Sequence, residues 1–379
     1  MKYDTKSKTS FLVMFLTDLV FHRRTPSSPQ DIRGRIRISS LGGLGDLFIQ
    51  LPLIDALVKK YEADNDVVVV LQPQHREIAV LMNWNFILMD NPTVSFFKKG
   101  IFQAFKEFVS LIFSSEHEKD TDWWIDLTGN AVNALLLKSL MTKHLVQTII
   151  RGGKGLTDIP LPNRLGDNEY DAQHKIADFF GVRCDLPSVR RKIFSASVLP
   201  RKKTVLTVLS TPCRWRCWKL ENYEKLFSAL PEYTFVCTGL SSQLRHESDE
   251  RLKRLQNLPN VVSHVDKCSL TELIRLIWSA SIVLTPDTSV AHIANLAGQP
   301  GILLFGPVDS DRWTLRSGKM RLLHHPNCKF YPCVQWRCKK PHNTCMDNIS
   351  VEEVKKAVSA FFDGTSDTCP AAENRADDA

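Results

Sequence analysis

Residues 284–307, LTPDTSVAHIANLAGQPGILLFGP, set Asp287, Thr288, Ser289 and His292 between two apolar runs. The pattern predicts a strand ending at Leu284, a helix over Thr288–Ala297 stopped by Gly298 and Pro300, and a second strand over Gly301–Phe305. Asp287 and Thr288 therefore fall where strand hands over to helix, and the free N–H groups of the first helical turn suit an anion there. Helix capping by Asp287 or Thr288 accounts for the same residues equally well on this stretch alone. A second acid, Asp46, ends the glycine-rich run SSLGGLGDLF at the start of another predicted helix. Gly43 and Gly45 supply a G-x-G, but Phe48 stands where a dinucleotide fingerprint needs its third glycine, and no Gly-Lys-Ser/Thr follows to make a P-loop. Asp46 reads as a general base or as a capping residue, and a helix N-terminus lowers the basicity that the first role needs. Arg214, Arg216 and Lys219 in STPCRWRCWKLENY follow a predicted strand, as phosphate-binding cations would. The alternative is a solvated basic loop with Trp215 and Trp218 in the core.

Cys328, Cys333, Cys338 and Cys345 cluster in CKFYPCVQWRCKKPHNTC, with His324, His325 and His342 nearby. Such a cluster reads as a zinc or iron site built on four thiolates, or as free buried cysteines, since its spacing lacks a C-x2-C knuckle. The other six cysteines are scattered, so no disulfide framework or secretion is implied.

The elements that must position these residues alternate strand and helix. Strand Arg35–Ile38, helix Asp46 to about Lys60 and strand Val67–Leu71 form a βαβ unit, followed by strands in DWWIDL and VQTIIR around a helix in NAVNALLLKSLMTK. Beyond Pro200 the alternation resumes, with capping boxes expected at Ser269 to Glu272 and at Ser350 to Glu353. The stretch Cys184–Lys203 is the best linker. The reading is α/β, two Rossmann-like lobes facing a central cleft.

A chain of 379 residues accommodates two such lobes. Its formal charge of +8 favours anionic substrates or a lipid surface. With no zinc-finger helix, long basic tract or interleaved arginine and aromatic repeat, nucleic acid is not an expected partner. The apolar run Phe11–Phe21, broken by Thr17 and Asp18, is too short and polar to span a bilayer and precedes no convincing cleavage site. It reads as a helix on the membrane interface, flanked by Lys2, Lys6, Lys8, Arg23 and Arg24, or as a helix packed on the protein. The chain is expected in the cytoplasm, peripheral on the inner membrane's cytoplasmic face in the first reading. The acidic end, residues 363–379, reads as a disordered tail.

Taken together the motifs resemble glycosyltransferase family 9, the lipopolysaccharide heptosyltransferase family, over roughly Arg35–Phe362. SSLGGLGDLFIQLP is similar to the family's N-terminal glycine, aspartate and proline signature, and TPDTSVAHIANLAGQPGILLFGP to its D-T-G-x-x-H block. RCWKLENYEKL and CMDNISVEEV look like its K-x-W-P segment and its closing cysteine-containing turn. The resemblance implies a GT-B fold with residues 1–32 as an extension, 33–190 as the acceptor lobe and 200–362 as the nucleotide-sugar donor lobe. It implies inverting transfer of heptose from ADP-heptose to a cell-envelope glycan such as the lipopolysaccharide inner core, an anionic glycolipid or glycan, with no obligatory cofactor.

Carried over by position, Asp46 matches the catalytic aspartate and Arg216 takes the place of the phosphate-binding lysine. Asp287, Thr288 and Ser289 fall on donor sugar and pyrophosphate contacts, Cys268 on the adenine loop, and His292 on the family's helix histidine, whose role within the fold is an equal alternative. Ser289 departs from the usual glycine, and the loop between Ser40 and Asp46 is three residues longer than the shortest family form. Another nucleotide sugar or a protein acceptor, a nicotinamide oxidoreductase, and a non-catalytic assembly protein built on the cysteines are the competing readings.

Overall fold

The computed structural model describes residues 32–91, 120–150, 152–164, 166–194, 202–313, 319–333 and 344–364, together with Lys106, Ser110 and Cys338. The N-terminal apolar run, His342 and the acidic tail beyond Gly364 lie outside the described residues. The chain divides into two compact units, Met1–Val189 and Arg190–Ala379.

In the first unit the strands are β1 (Arg35–Ser40), β2 (Asp66–Leu71), β3 (Phe86–Leu88), β4 (Trp123–Asp126), β5 (His144–Gln147) and β6 (Ile159–Pro160). They form one parallel sheet in the order β3-β2-β1-β4-β5-β6. The helices are α1 (Leu44–Tyr61), α2 (Arg76–Met82), α3 (Ala131–Ser139) and α4 (Glu169–Phe180), and the division between the units falls inside α5 (Leu186–Ile193). Helix α5 thus occupies the start of the segment read as a linker.

The second unit repeats the plan with β7 (Thr204–Val208), β8 (Thr234–Thr238), β9 (Val261–Ser263), β10 (Ile282–Pro286), β11 (Gly301–Leu304) and β12 (Met320–Leu323), in the parallel order β12-β11-β10-β7-β8-β9. Its helices are α6 (Leu220–Ser228), α7 (Asp249–Gln256), α8 (Leu270–Ser279), α9 (Ser289–Ala297), α10 (Ser310–Trp313), α11 (Thr344–Asp347) and α12 (Val351–Phe362).

Central strands of such sheets are buried on both faces, which is why DVVVVL and IVLTP carry apolar runs and not an alternation. In both units the strand order reverses beside the first strand, between β1 and β4 and between β7 and β10. In open α/β sheets that switch point leaves a crevice outside the carboxyl ends of the strands, where ligands bind.

Each core contains buried aromatic side chains whose polar ends find a carbonyl or hydroxyl partner. In the first unit Trp124 packs with Leu136, Leu137, Leu140 and Leu145, and its Nε1 donates to the Ser39 hydroxyl at 2.9 Å. In the second, Trp218 and Tyr223 meet edge to face at 4.8 Å; Trp218 Nε1 donates to the Ile349 carbonyl and the Tyr223 hydroxyl to the Val208 carbonyl. The Ser269–Glu272 capping box forms as expected. At α12 only half of the second box forms. Ser350 accepts from the Glu353 amide, while the Glu353 carboxylate is engaged by His325 Nε2 at 2.8 and 3.0 Å. No helix among the described residues is long and apolar enough to cross a membrane.

Candidate functional site

Asp46 is the third residue of α1, one turn beyond the carboxyl end of β1. The N-cap position belongs to Gly43, and the half-exposed Asp46 folds back so that its Oδ2 accepts the Gly43 amide at 2.8 Å. Gly42 has to be glycine for this, because a Cβ there would lie 2.7 Å from Asp46 Oδ2. The loop before Asp46 is pinned by uncharged side chains. The Leu41 amide donates to Thr128 Oγ1 at 2.7 Å, Gln72 Nε2 donates to the carbonyls of Leu41 and Gly42, and Asn91 donates to Leu41.

Across the switch point, at the end of β4, sits a carboxylate that the sequence reading passed over. Asp126 is fully buried, with its oxygens accepting from Ser39 Oγ at 2.8 Å, the amides of Thr128 and Gly129, and Asn133 Nδ2. Burial pushes its carboxyl upward, against the lowering effect of those bonds. The D-L-T-G run after an apolar strand was the available signal for it.

In the second unit Arg216 lies in a 3-10 turn, Arg214–Arg216, beyond β7, and Asp287 directly follows β10. The guanidinium Nη1 meets Asp287 Oδ2 at 3.0 Å and donates to the Asp287 carbonyl at 3.3 Å, with both side chains largely buried. The choice between Asp287 and Thr288 as helix cap is thereby settled. Thr288 is the N-cap of α9, its Oγ1 accepting from the Val290 amide at 3.2 Å, while Asp287 pairs with Arg216. The Ser289 amide, at the first helical position, has no acceptor among the described residues. A cation and a helix N-terminus thus converge at the β7/β10 switch point, as a diphosphate requires. His292 is buried one turn into α9, its ring 6.4 Å from that of Trp313.

Cys268 lies beyond β9, which in the sheet order is two positions from β7, the strand before Arg216, and three from β10, the strand before Asp287. Between these places, at the ends of β7 and β8, opens a cavity of ≈ 570 Å³ lined by Cys213, Arg214, Trp215, Gln243, Arg245 and His246 among others. The Arg214 guanidinium lies 4.1 Å over the Trp215 ring, and neither Arg214 nor Arg245 has a carboxylate partner among the described residues. Burial pushes His246 below its ordinary value. Ser210 fastens the two walls, accepting from the Leu240 amide at 2.8 Å and donating to Gln243 at 3.0 Å. Trp218 is core as anticipated. Trp215 is not, and takes the cavity wall instead. Lys219 turns to Asp347 at 2.9 Å.

The four-thiolate metal site is not assembled. Among the described residues no three His, Cys, Asp or Glu side chains gather to hold a metal ion. Cys345 is buried in α11, Cys333 donates to the Phe330 carbonyl at 3.1 Å, and His325 is engaged by Glu353. Without a knuckle to turn two thiols toward one point, nearness in sequence does not become convergence.

Two Rossmann-like units, each a parallel sheet of this order, make up the GT-B fold. Residues 165–343 match the model of Glycosyltransferase family 9 (heptosyltransferase). The fold is similar to that of E. coli heptosyltransferase WaaC with ADP-2-deoxy-2-fluoro heptose, with a TM-score of 0.62 at 16% identity, covering 86% of this chain and 99% of that one. It is similar to the glycosyl transferase family 9 protein from Veillonella parvula DSM 2008, with a TM-score of 0.63 at 15% identity, covering 90% and 100%. It also matches the dodecameric iron-containing heptosyltransferase TibC, with a TM-score of 0.52 at 11% identity, covering 88% and 77%. No curated protein matches the chain in sequence.

Proposed function

We propose that this glycosyltransferase moves a heptose from ADP-heptose, with inversion, onto a hydroxyl of an anionic cell-envelope glycan such as the lipopolysaccharide inner core. The observation that carries the reading is the Arg216–Asp287 pair beside the capped start of α9, inside the segment that matches family 9. WaaC was solved with ADP and with an ADP-heptose analogue, which supports the choice of donor.

Arg216 and the Ser289 amide receive the diphosphate, with Asp287 holding the guanidinium in place beforehand. The cavity between the β7 and β8 loops takes the nucleoside side, its Trp215 and arginines offering an aromatic face and positive charge, and Cys268 lies further along the same edge. In the first unit Asp46 leaves the Gly43 amide to accept the proton of the attacking hydroxyl. The acceptor oxygen bonds to the anomeric carbon as the bond to the diphosphate breaks, and Arg216 with the helix amide meets the charge that develops on the leaving group. In this account the chain's own cation and helix dipole answer the diphosphate charge, so the chemistry calls for no metal step. The excess of positive charge and the basic apolar N-terminal segment support a place on the cytoplasmic face of the inner membrane.

The test is incubation with a panel of nucleotide sugars and envelope acceptors, following nucleoside diphosphate release. Acceptor-dependent ADP release from ADP-heptose is the predicted result. Turnover confined to another nucleotide sugar would overturn the donor assignment.

A further inference from the structure

His75 closes the short turn Pro73–His75 after β2 and stands at the start of α2. It is 0% exposed, and neither ring nitrogen has a hydrogen-bond partner among the described residues. Buried polar groups are nearly always bonded, and an imidazole with two unsatisfied nitrogens is a poorer core residue than an aliphatic one of similar size. Its surroundings point to a reason. Gln72, three residues earlier, donates to the carbonyls of Leu41 and Gly42, which ties the His75 turn to the Asp46 loop. The charge that acts on His75 is the Asp46 carboxylate, while burial, the larger effect, holds the imidazole neutral and lowers its pKa to about 4. A neutral imidazole carries one N–H to donate. Asp46 for its part is folded over Gly42, with Oδ2 accepting from the Gly43 amide.

We propose that His75 is a positioning residue for Asp46, its N–H bonding one carboxylate oxygen when Asp46 leaves the Gly43 amide and aiming the other at the acceptor. This rests on Asp46 being the base of the proposed transfer. The proton passes from the acceptor hydroxyl to Asp46, the new bond to the anomeric carbon forms, and the electron pair of the broken bond leaves with the diphosphate; His75 keeps its proton throughout. A donor that is unbonded at rest and bonded in the reacting state stabilises the second selectively.

The experiment compares wild type with His75→Leu and His75→Gln, using ADP-heptose and the acceptor found by the panel. For His75→Leu the expected result is a kcat lowered about tenfold or more with donor KM within twofold, and an acid limb of kcat/KM moved up by about one pH unit. Its thermal midpoint should be no lower than wild type, and His75→Gln, which keeps an N–H, should recover most of the rate. Wild-type kcat and an unmoved acid limb in His75→Leu overturn the proposal, as does a Gln variant no faster than Leu.

A second arm needs no acceptor and no folded leucine variant. The imidazole ¹⁵N resonances of His75 are titrated in the whole protein with and without Asp46→Asn. Loss of the carboxylate should lower the His75 midpoint, and an unchanged midpoint refutes the pairing whatever the turnover. A wild-type protein with no ADP release from any donor would contradict the transferase reading alone, with the resonance arm still deciding whether His75 answers to Asp46.

Discussion

The two units share a strand order but fill the same switch point with opposite devices. In the first, the loop beyond β1 is fastened by the uncharged Gln72, Asn91 and Thr128, and the groups it brings together are two carboxylates and a neutral imidazole. In the second, the loop beyond β7 is fastened by a largely buried ion pair, and it presents a guanidinium, a helix start and two further arginines. Fold alone does not distinguish them. What differs is which charge the edge is built to receive: the first suits handling a proton, and the second suits holding a diphosphate.

Substitutions at the centre of each device should therefore break different things. The largest effect is expected from Asp46→Asn, which keeps the size and the helix start but removes the base. Steady-state kinetics should show kcat reduced about 10²–10⁴-fold with donor affinity within a few-fold. Retention of most activity would remove Asp46 from the chemistry.

Arg216→Ala should do the reverse, weakening nucleotide-sugar binding by about 1.5–3 kcal/mol through loss of a charge-assisted bond and exposure of Asp287 to no partner. Calorimetric titration checks it, and the double variant with Asp287→Ala should lose less than the sum of the two single losses, because the pair acts as a unit.

A pH series sharpens the comparison on the first unit. His75 is pushed down to about 4 in the fold against an ordinary value near 6.5, so below about 6.5 the unfolded chain takes up the proton first. Stability should fall as pH drops from about 6.5 to about 4, by about 3 kcal/mol for this group, and be unaffected by it above that window. Denaturant melts of wild type and His75→Leu across that range would show the slope in the first and its loss in the second; parallel curves would contradict the assignment.

The smallest change is expected from Thr288→Ala, where loss of the α9 cap should lower stability by about 0.5–2 kcal/mol and weaken ADP and ADP-heptose alike. A thermal melt unchanged from wild type would contradict the capping role.

Much of this is legible in the sequence. Apolar strand cores, glycine and proline stops and the handover at Asp287 and Thr288 are local features, and they gave α/β lobes and the right strand for each central site residue. The short edge strands β3, β6, β9 and β12 carry too few residues for a pattern, and they went unread. What needed the fold were pairings between distant residues. Arg216 reaches Asp287 over 71 positions, and Glu353 reaches His325 over 28, so no spacing rule could choose Thr288 over Asp287 as the cap or foresee half a capping box. His75 and Asp126 escaped for the opposite reason: each looks like an ordinary polar residue after an apolar strand, and only burial without a partner, or burial under four bonds, marks it. The cysteines are near one another in sequence, and among the described residues no three metal-ligating side chains gather around one point.

The division of labour between the two units is tested most directly by titrating ADP, without sugar or acceptor, into wild type, Asp46→Asn and Arg216→Ala under one buffer. The account predicts equal dissociation constants for the first two and at least a tenfold weaker one for Arg216→Ala. ADP binding that is lost in Asp46→Asn and kept in Arg216→Ala would contradict it.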